Sequence, residues 1–362
     1  MMRRVLIGAL LALCLTTVVR AAPLGDAFGA EKVEAAAPPT AREVLGELAP
    51  SETSPETGLE RLLAFARQHF GEAVKETLRP LASILALCLL CAIGESFSAG
   101  TKAGAEAVAL GGCLAVAAIG VADVHSVLSL GTETLAELTD FSRVLLPTLT
   151  TAAAASGAAG SAAAAYAASA LFSDLLLTAS EKLILPMICA YTAAAVSSAV
   201  LGDQRLDGAV HFLQWCAKTL LKALVISFTA YLSLTGILAG AADAAAVKTA
   251  KTVISTALPV VGKLMADASE ALVAGAGLIR SAIGVYGMLA CLAAVLLPVL
   301  RLGLRCLLFR AAAAICSGFA GARQTRLIAC LGTAYGMVLS LIASAAAIEF
   351  LAVISLIRTV TL

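Results

Sequence analysis

Lys263, Asp267 and Glu270 stand just after a Leu258-Pro259 step and shortly before Ser281–Leu300, a run without a single charge. That run is about long enough to cross a hydrocarbon core. Lys263 and Asp267 are four residues apart, so on a helix they share a face and can pair. Charges this close to a span are costly in lipid and belong against a bundle interior or water. Proline removes a backbone hydrogen bond and lets a helix bend. A bend combined with three charges makes 259–270 the candidate transport-like site. Leaving aside Pro80, four prolines fall in the apolar part, each behind a leucine: Pro147, Pro186, Pro259 and Pro298. All four are candidate helix breaks. Taken singly each reads as a structural kink; Pro259, with its charges, carries more.

Covalent chemistry finds no support in the residue pattern. His69, His125 and His211 are the histidines, and none sits within an expected span. No H-E-x-x-H occurs for a metalloprotease, and no P-loop for nucleotide hydrolysis. Gly160-Ser161 has no intramembrane histidine to act as its base. Cys88-x-x-Cys91 has metal-like spacing but lacks a second pair or a nearby histidine, so it reads as helix packing. No catalytic residue, cofactor or metal is expected. A net charge of +1 leaves no footprint for nucleic acid.

The elements that must position these residues are set by composition. The chain is 60% hydrophobic and 14% charged, with a mean hydropathy of +0.96. A soluble domain carries about 25% charged residues. The fold class expected is an all-α polytopic membrane protein. Residues 1–21 read as a secretory signal, with Arg3 and Arg4 ahead of a short apolar core, cleaved or retained as an anchor. Residues 22–58, rich in Ala, Pro, Glu and Thr, read as a mobile exported linker. Residues 59–79 read as an amphipathic helix with Leu59, Leu62, Leu63, Ala66, Phe70 and Val74 on its apolar stripe. It lies on the membrane, docks a partner, or simply leads into the first span. The polytopic domain is 80–362. Its expected crossings are Leu81–Phe97, Ala107–Ala122, Val144–Phe172, Leu183–Leu201, Thr219–Ala242, the Pro259 segment, Ser281–Leu300 and Leu327–Ile348. Gly332-x-x-x-Gly336 in the last reads as packing. Trp215 suits an interfacial anchor.

The Leu-Pro steps recur at an offset of 112 residues: Pro147 with Pro259, and Pro186 with Pro298. Hydrophobic runs coincide at the same offset, which suggests two repeats, 107–201 and 219–310. Three crossings in each would make them run in opposite senses. If the Pro259 segment crosses, Arg301, Arg305, Arg310, Arg323 and Arg326 fall in a cytoplasmic loop, as the positive-inside rule asks. The acidic stretches Asp123–Asp140 and Asp267–Glu270 then fall outside, and so do both ends. Eight spans result. A re-entrant or surface-lying helix over 252–279 is the competing placement.

Two blocks carry a resemblance. TAKTVISTALPVVGKLMADASEALVAGAGLI, residues 249–279, and FSRVLLPTLTTAAAASG, Phe141 to Gly157, are similar to the recurrent blocks of the stage III sporulation protein AE family. The signal, the soluble lead-in and the several spans agree, so the resemblance covers nearly the whole chain. It implies a protein made in the mother cell of an endospore-forming bacterium and placed in the membrane facing the forespore. It implies as partners the other membrane and ring-forming proteins of the stage III sporulation A operon, a secretion-type ATPase, and a forespore-side protein. The resemblance makes this chain the permease-like core of their channel, which keeps the forespore metabolically competent. From the residues alone, an independent secondary transporter and a passive scaffold for ring proteins stay open beside it.

The Lys263–Asp267 pairing yields a test. In low dielectric, removing one partner of a buried pair costs about 3–5 kcal/mol, because a lone charge remains. Asp267→Asn and Lys263→Met should each lower spore yield or protein level strongly, and the double variant should recover part of the loss. Were the pair in water, it would be worth about 0–1 kcal/mol, and both single variants would be nearly silent.

Overall fold

A chain dominated by Ala and Leu favours helix intrinsically, and lipid demands that the backbone satisfy its own polar groups. The computed structural model describes residues 29–46, 55–97, 102–202, 206–257 and 261–358, with side chains described except at 102, 235–257, 261–276 and 358. No strand occurs among the described residues. The helices are α1 (Ala30–Ala36), α2 (Pro39–Leu45), α3 (Pro55–Phe97), α4 (Lys102–Ala155), α5 (Ala159–Ala179), α6 (Leu185–Leu201), α7 (Asp207–Ala257), α8 (Val261–Cys316) and α9 (Ala322–Arg358). A π-helical turn, Ser180–Ile184, joins α5 to α6 into one rod. The expected fold class holds: six helical stretches are long and apolar enough to cross a membrane.

Successive rods run antiparallel. At one end Gly202 lies against Arg323, and Gly321 is near Glu95. At the other, Arg280 reaches Ser156, and Gly284 abuts Leu149 and Ile357. Gly202, the turn 317–321 and the C-terminal end of α3 therefore share one end. Pro55, the turn Ser156–Ala158 and Arg358 share the other. The central pair is α8 and α9, which pack on each other more extensively than any other two helices. Tyr286 and Tyr335 are their largest buried side chains. Gly332 and Gly336 of α9 face Phe309, Arg310 and Cys306 of α8, which is the packing role their spacing suggests.

Several expectations change at this level. Hydropathy runs suggest eight crossings; among the described residues there are six long apolar rods. One reason lies in Val144–Phe172, expected as one crossing. The chain turns inside it at Ser156–Ala158, where Gly157 has φ of 94°, a value glycine adopts without steric cost. An Ala/Ser/Gly run has no hydrophobic periodicity to reveal such a turn. A second reason is that Asp123–Arg143 is not a loop outside the membrane but the middle of α4. Its acidic residues Glu133, Glu137 and Asp140 form an exposed face, while Leu135, Leu138, Phe141 and Leu145 are buried behind it. Likewise Arg301, Arg305 and Arg310 lie on α8, and the connection after it is only 317–321. The opposite-side placement of arginines and acids therefore fails: Arg305 meets Asp123.

The N-terminal part differs too. Residues 1–28, which include the expected signal, lie outside the described residues. The expected mobile linker contains α1 and α2, whose Val33, Ala37, Ala41, Val44 and Leu45 are buried. Pro39 sits in the first turn of α2, where a missing N–H costs nothing, so its presence does not argue against a helix. The amphipathic helix 59–79 continues through Pro80 into the first apolar run as α3. Its buried stripe is Leu62, Phe65, Ala73, Thr77, Leu81, Ile84 and Cys88; Leu59, Leu63 and Phe70 are exposed. The last two line an open groove of ≈ 480 Å³ with Glu60, Arg67 and Leu300.

Length explains the stagger of the apolar runs. At about 1.5 Å per residue, the 54 residues of α4 far exceed a hydrocarbon core of about 30 Å. Gly284 and Gly287 of α8 abut Leu149 and Leu145 of α4. Hence Ser281–Leu300 runs beside the polar half of α4, not beside Ala107–Ala122. That earlier run packs on α9 instead, with Gly120 against Leu331 and Gly112 against Gln324. Close approach at Gly120 is testable. Leu331 is 1% exposed and cannot move aside, so Gly120→Leu overpacks the contact, which typically costs about 1–3 kcal/mol. Gly111 meets nothing, and Gly111→Ala should be neutral or stabilising through helix propensity. Melting of the purified protein in detergent should fall for the first variant and hold or rise for the second.

Candidate functional site

The stagger leaves charges where helices meet. Asp123 ends the first apolar run of α4, and Arg305 follows the charge-free run of α8. Their approach is Arg305 Nη2 to Asp123 Oδ1, 3.4 Å, with side chains only 12% and 11% exposed. The Tyr335 hydroxyl of α9 donates to Asp123 Oδ2 at 2.7 Å. The Tyr335 ring is itself set by an edge contact with Phe309, centroids 4.9 Å apart and planes at 77°. Phe309 lies one turn beyond Arg305 on α8. Three helices thus converge on one carboxylate, which pairs with one guanidinium and accepts a hydrogen bond from one hydroxyl. A carboxylate shielded from water needs such partners, since an unpaired buried charge is far costlier than the pair.

Around this centre lie more exposed pairs. Arg301 Nε is 3.2 Å from Glu76 Oε2 and ties α8 to α3. Arg323 Nη2 is 3.7 Å from Glu106 Oε1. Arg326 of α9 pairs with Asp207 at the start of α7, and the Ser198 hydroxyl donates to the same Asp207 oxygen at 2.9 Å. Asp207 and Arg326 line a cavity of ≈ 270 Å³ with Tyr191, His211, Gln214 and Thr333. Partly exposed pairs of this kind add about 0–1 kcal/mol each, so energetically the Asp123–Arg305–Tyr335 group dominates.

The residues singled out from sequence fall elsewhere. Pro147 lies within α4 and Pro298 within α8, and both helices run on through them. Pro186 sits in the first turn of α6, directly after the π turn. There Lys182, whose carbonyl would have bonded the residue-186 N–H, has left the α pattern. Pro259 lies outside the described residues. Lys263, Asp267 and Glu270 lie on the first turns of α8, and their side chains are outside the described residues. The Asp123–Arg305–Tyr335 group was missed because its members are up to 212 residues apart. The available signal was a lone acid and lone arginines at the edges of apolar runs.

Among the described residues no group of three His, Cys, Asp or Glu side chains converges as a metal site. Cys88, Cys113 and Cys316 are buried thiols. The model of stage III sporulation protein AE matches residues 50–360. The chain belongs to the stage III sporulation protein AE family. No curated protein and no solved structure matches it. The family match begins just ahead of α3 and ends after α9, so it takes in every rod of the bundle and both blocks noted above. One of those blocks ends at Gly157, the residue that reverses the chain. In this family member the turn and the Arg280–Ser156 contact, 3.2 Å, hold the end of the bundle opposite the Arg323 connection.

Breaking the central group should be costly. Arg305→Met strands Asp123, and Asp123→Asn strands Arg305; each loss is expected to be about 3–5 kcal/mol. The double variant leaves no lone charge and should regain much of the stability. Protein level in membranes and detergent melting for the four forms check this; two silent single variants would remove the group from any central role.

Proposed function

We propose that this protein is the multi-pass membrane core of a channel or secretion complex that joins the mother cell to the forespore during endospore development. The observation that carries the proposal is the family match over nearly the whole chain, joined to a bundle of six membrane-length rods. The protein performs no covalent chemistry of its own; a partner ATPase supplies energy. Its partners are the other membrane and ring-forming proteins of the stage III sporulation A operon and a forespore-side protein. It resides in the mother-cell membrane around the forespore, with the N-terminal segment outside the cytoplasm. An even number of passes then puts Arg358 on that outer side. The connection at 317–321 falls in the cytoplasm, near Arg323 and Arg326, in keeping with the positive-inside rule.

The interior supports a gated rather than an open assembly. Asp123 bridges α4, α8 and α9 through an ion pair and a hydrogen bond, and sliding of one rod past another must break both. In a spore-forming host, deletion of the gene should abolish heat-resistant spores and late forespore gene expression. A copy expressed only in the mother cell should restore both, and it should co-purify with the operon's ATPase. Restoration by a copy expressed only in the forespore, or normal sporulation of the deletion strain, would overturn the proposal. Restoration without any operon partner would favour an independent transporter.

A further inference from the structure

The cavity of ≈ 270 Å³ lies between α6, α7 and α9. Asp207 opens α7, and Arg326 lies in the first turns of α9. The cavity therefore sits at the end of the bundle that holds the turn 317–321. Its walls are polar, with His211 and Gln214 from α7 and Thr333 from α9. Asp207 is the one acid among its lining residues, and Arg326 and the Ser198 hydroxyl already engage it. No other acid occurs in 185–201, 208–234 or 322–348, whereas Lys218, Lys222, Arg323 and Arg326 do. The surroundings are net positive. A guanidinium carries five donors, so Arg326 can hold Asp207 and still donate elsewhere. Lys218 follows His211 and Gln214 at helical spacing and shares their face. Helical side chains lean back toward the N-terminus, which aims the exposed Lys218 toward the cavity.

The rim is apolar. Phe212 and Trp215, next to His211 and Gln214 in the chain, are 61% and 63% exposed. Their rings stack, with centroids 6.3 Å apart and planes at 29°. Aromatic side chains presented outward mark a membrane–water interface, and basic pockets between membrane helices suit lipid head groups. A phosphate matches a guanidinium in charge and in geometry. We propose that this cavity binds the phosphodiester of an anionic glycerophospholipid. Arg326 and Lys218 hold the phosphate, Gln214 meets the head-group hydroxyls, and Phe212 and Trp215 lie against the start of the acyl chains. A bound lipid would fasten α7 to α9 beside the Arg326–Asp207 pair. This site goes beyond the sporulation complex and does not depend on it.

Trp215 is the single tryptophan of the chain, so its fluorescence reports on the rim directly. The test places the purified full-length protein in phosphatidylcholine bilayers. Quenching of Trp215 is followed as brominated phosphatidylglycerol or brominated phosphatidylcholine replaces the unlabelled lipid. A preference of at least about tenfold for the anionic lipid is expected, and Arg326→Gln and Lys218→Gln should each lower it by about fivefold, the scale of one basic residue at a membrane surface. Lys218 is exposed, so its variant keeps the test valid should Arg326→Gln, which strands Asp207, misfold. Inorganic phosphate, added against chloride at equal ionic strength, should leave the quenching unchanged. Relief by phosphate alone would assign the cavity to a soluble phosphate and overturn the lipid. Equal quenching by the two lipids also overturns the proposal, as does an unchanged preference in either variant that melts like the wild type.

Discussion

A charge removed from water must find its counter-charge inside the protein, and the bundle is arranged around that requirement. Asp123 pairs with Arg305 and accepts a hydrogen bond from Tyr335, so the heights of α4, α8 and α9 are coupled at one point. Once α8 is set so that Arg305 meets Asp123, its charge-free run must extend beside the polar half of α4. That is why Ser281–Leu300 is among the more enclosed stretches: Ile283, Tyr286, Leu289, Ala290, Cys291, Ala293 and Ala294 are all buried. The apolar run expected as a span is largely the inner wall of the bundle. Its hydrophobicity serves helix packing as much as lipid.

Close packing does the rest. Lipid tails are as apolar as leucine, so association inside a membrane relies on fit and interhelical polar contacts rather than on a hydrophobic driving force. Small residues occur where fit is tightest. Gly58 meets Leu289, Gly284 meets Ile357 and Gly287 meets Leu145, which seats α8 among α3, α4 and α9. Polar contacts then fasten the rods at intervals: Ser173 to Glu349, Arg280 to Ser156, Arg326 to Asp207. The two sets are complementary. Glycines permit a close approach, and paired polar groups choose which approach is used. An assembly built this way has discrete registers, since a slip along the rod breaks an ion pair before it makes another.

Much of this was legible in the sequence and some was not, for reasons that particular residues show. The acidic face Glu133, Glu137 and Asp140 was recognisable by its helical spacing, and the structure exposes it. Gly332 and Gly336 were recognisable as a packing face by theirs. Both depend on neighbours within one helix. The stripe on α3 misled because two apolar stripes overlap there, and only the partner helix selects Leu62 and Phe65 over Leu59 and Leu63. Glu349 lies one residue beyond the apolar run Leu327–Ile348, and only the packing of α5 on α9 brings Ser173 to it.

The sequence by itself determined the class of solvent, the helical state and the family. These follow from composition, local propensity and two contiguous blocks, which need no knowledge of contacts. Tertiary structure decided where the chain turns, how many rods result and which charges meet. The turn at Gly157 arises within a run that has no periodicity. The Asp123–Arg305 pair joins residues far apart in the chain, each of which reads alone as the polar edge of a span. A hydropathy pattern reports how each segment would partition by itself. Burial against another helix changes that partition, because a counter-charge on a neighbouring rod replaces water.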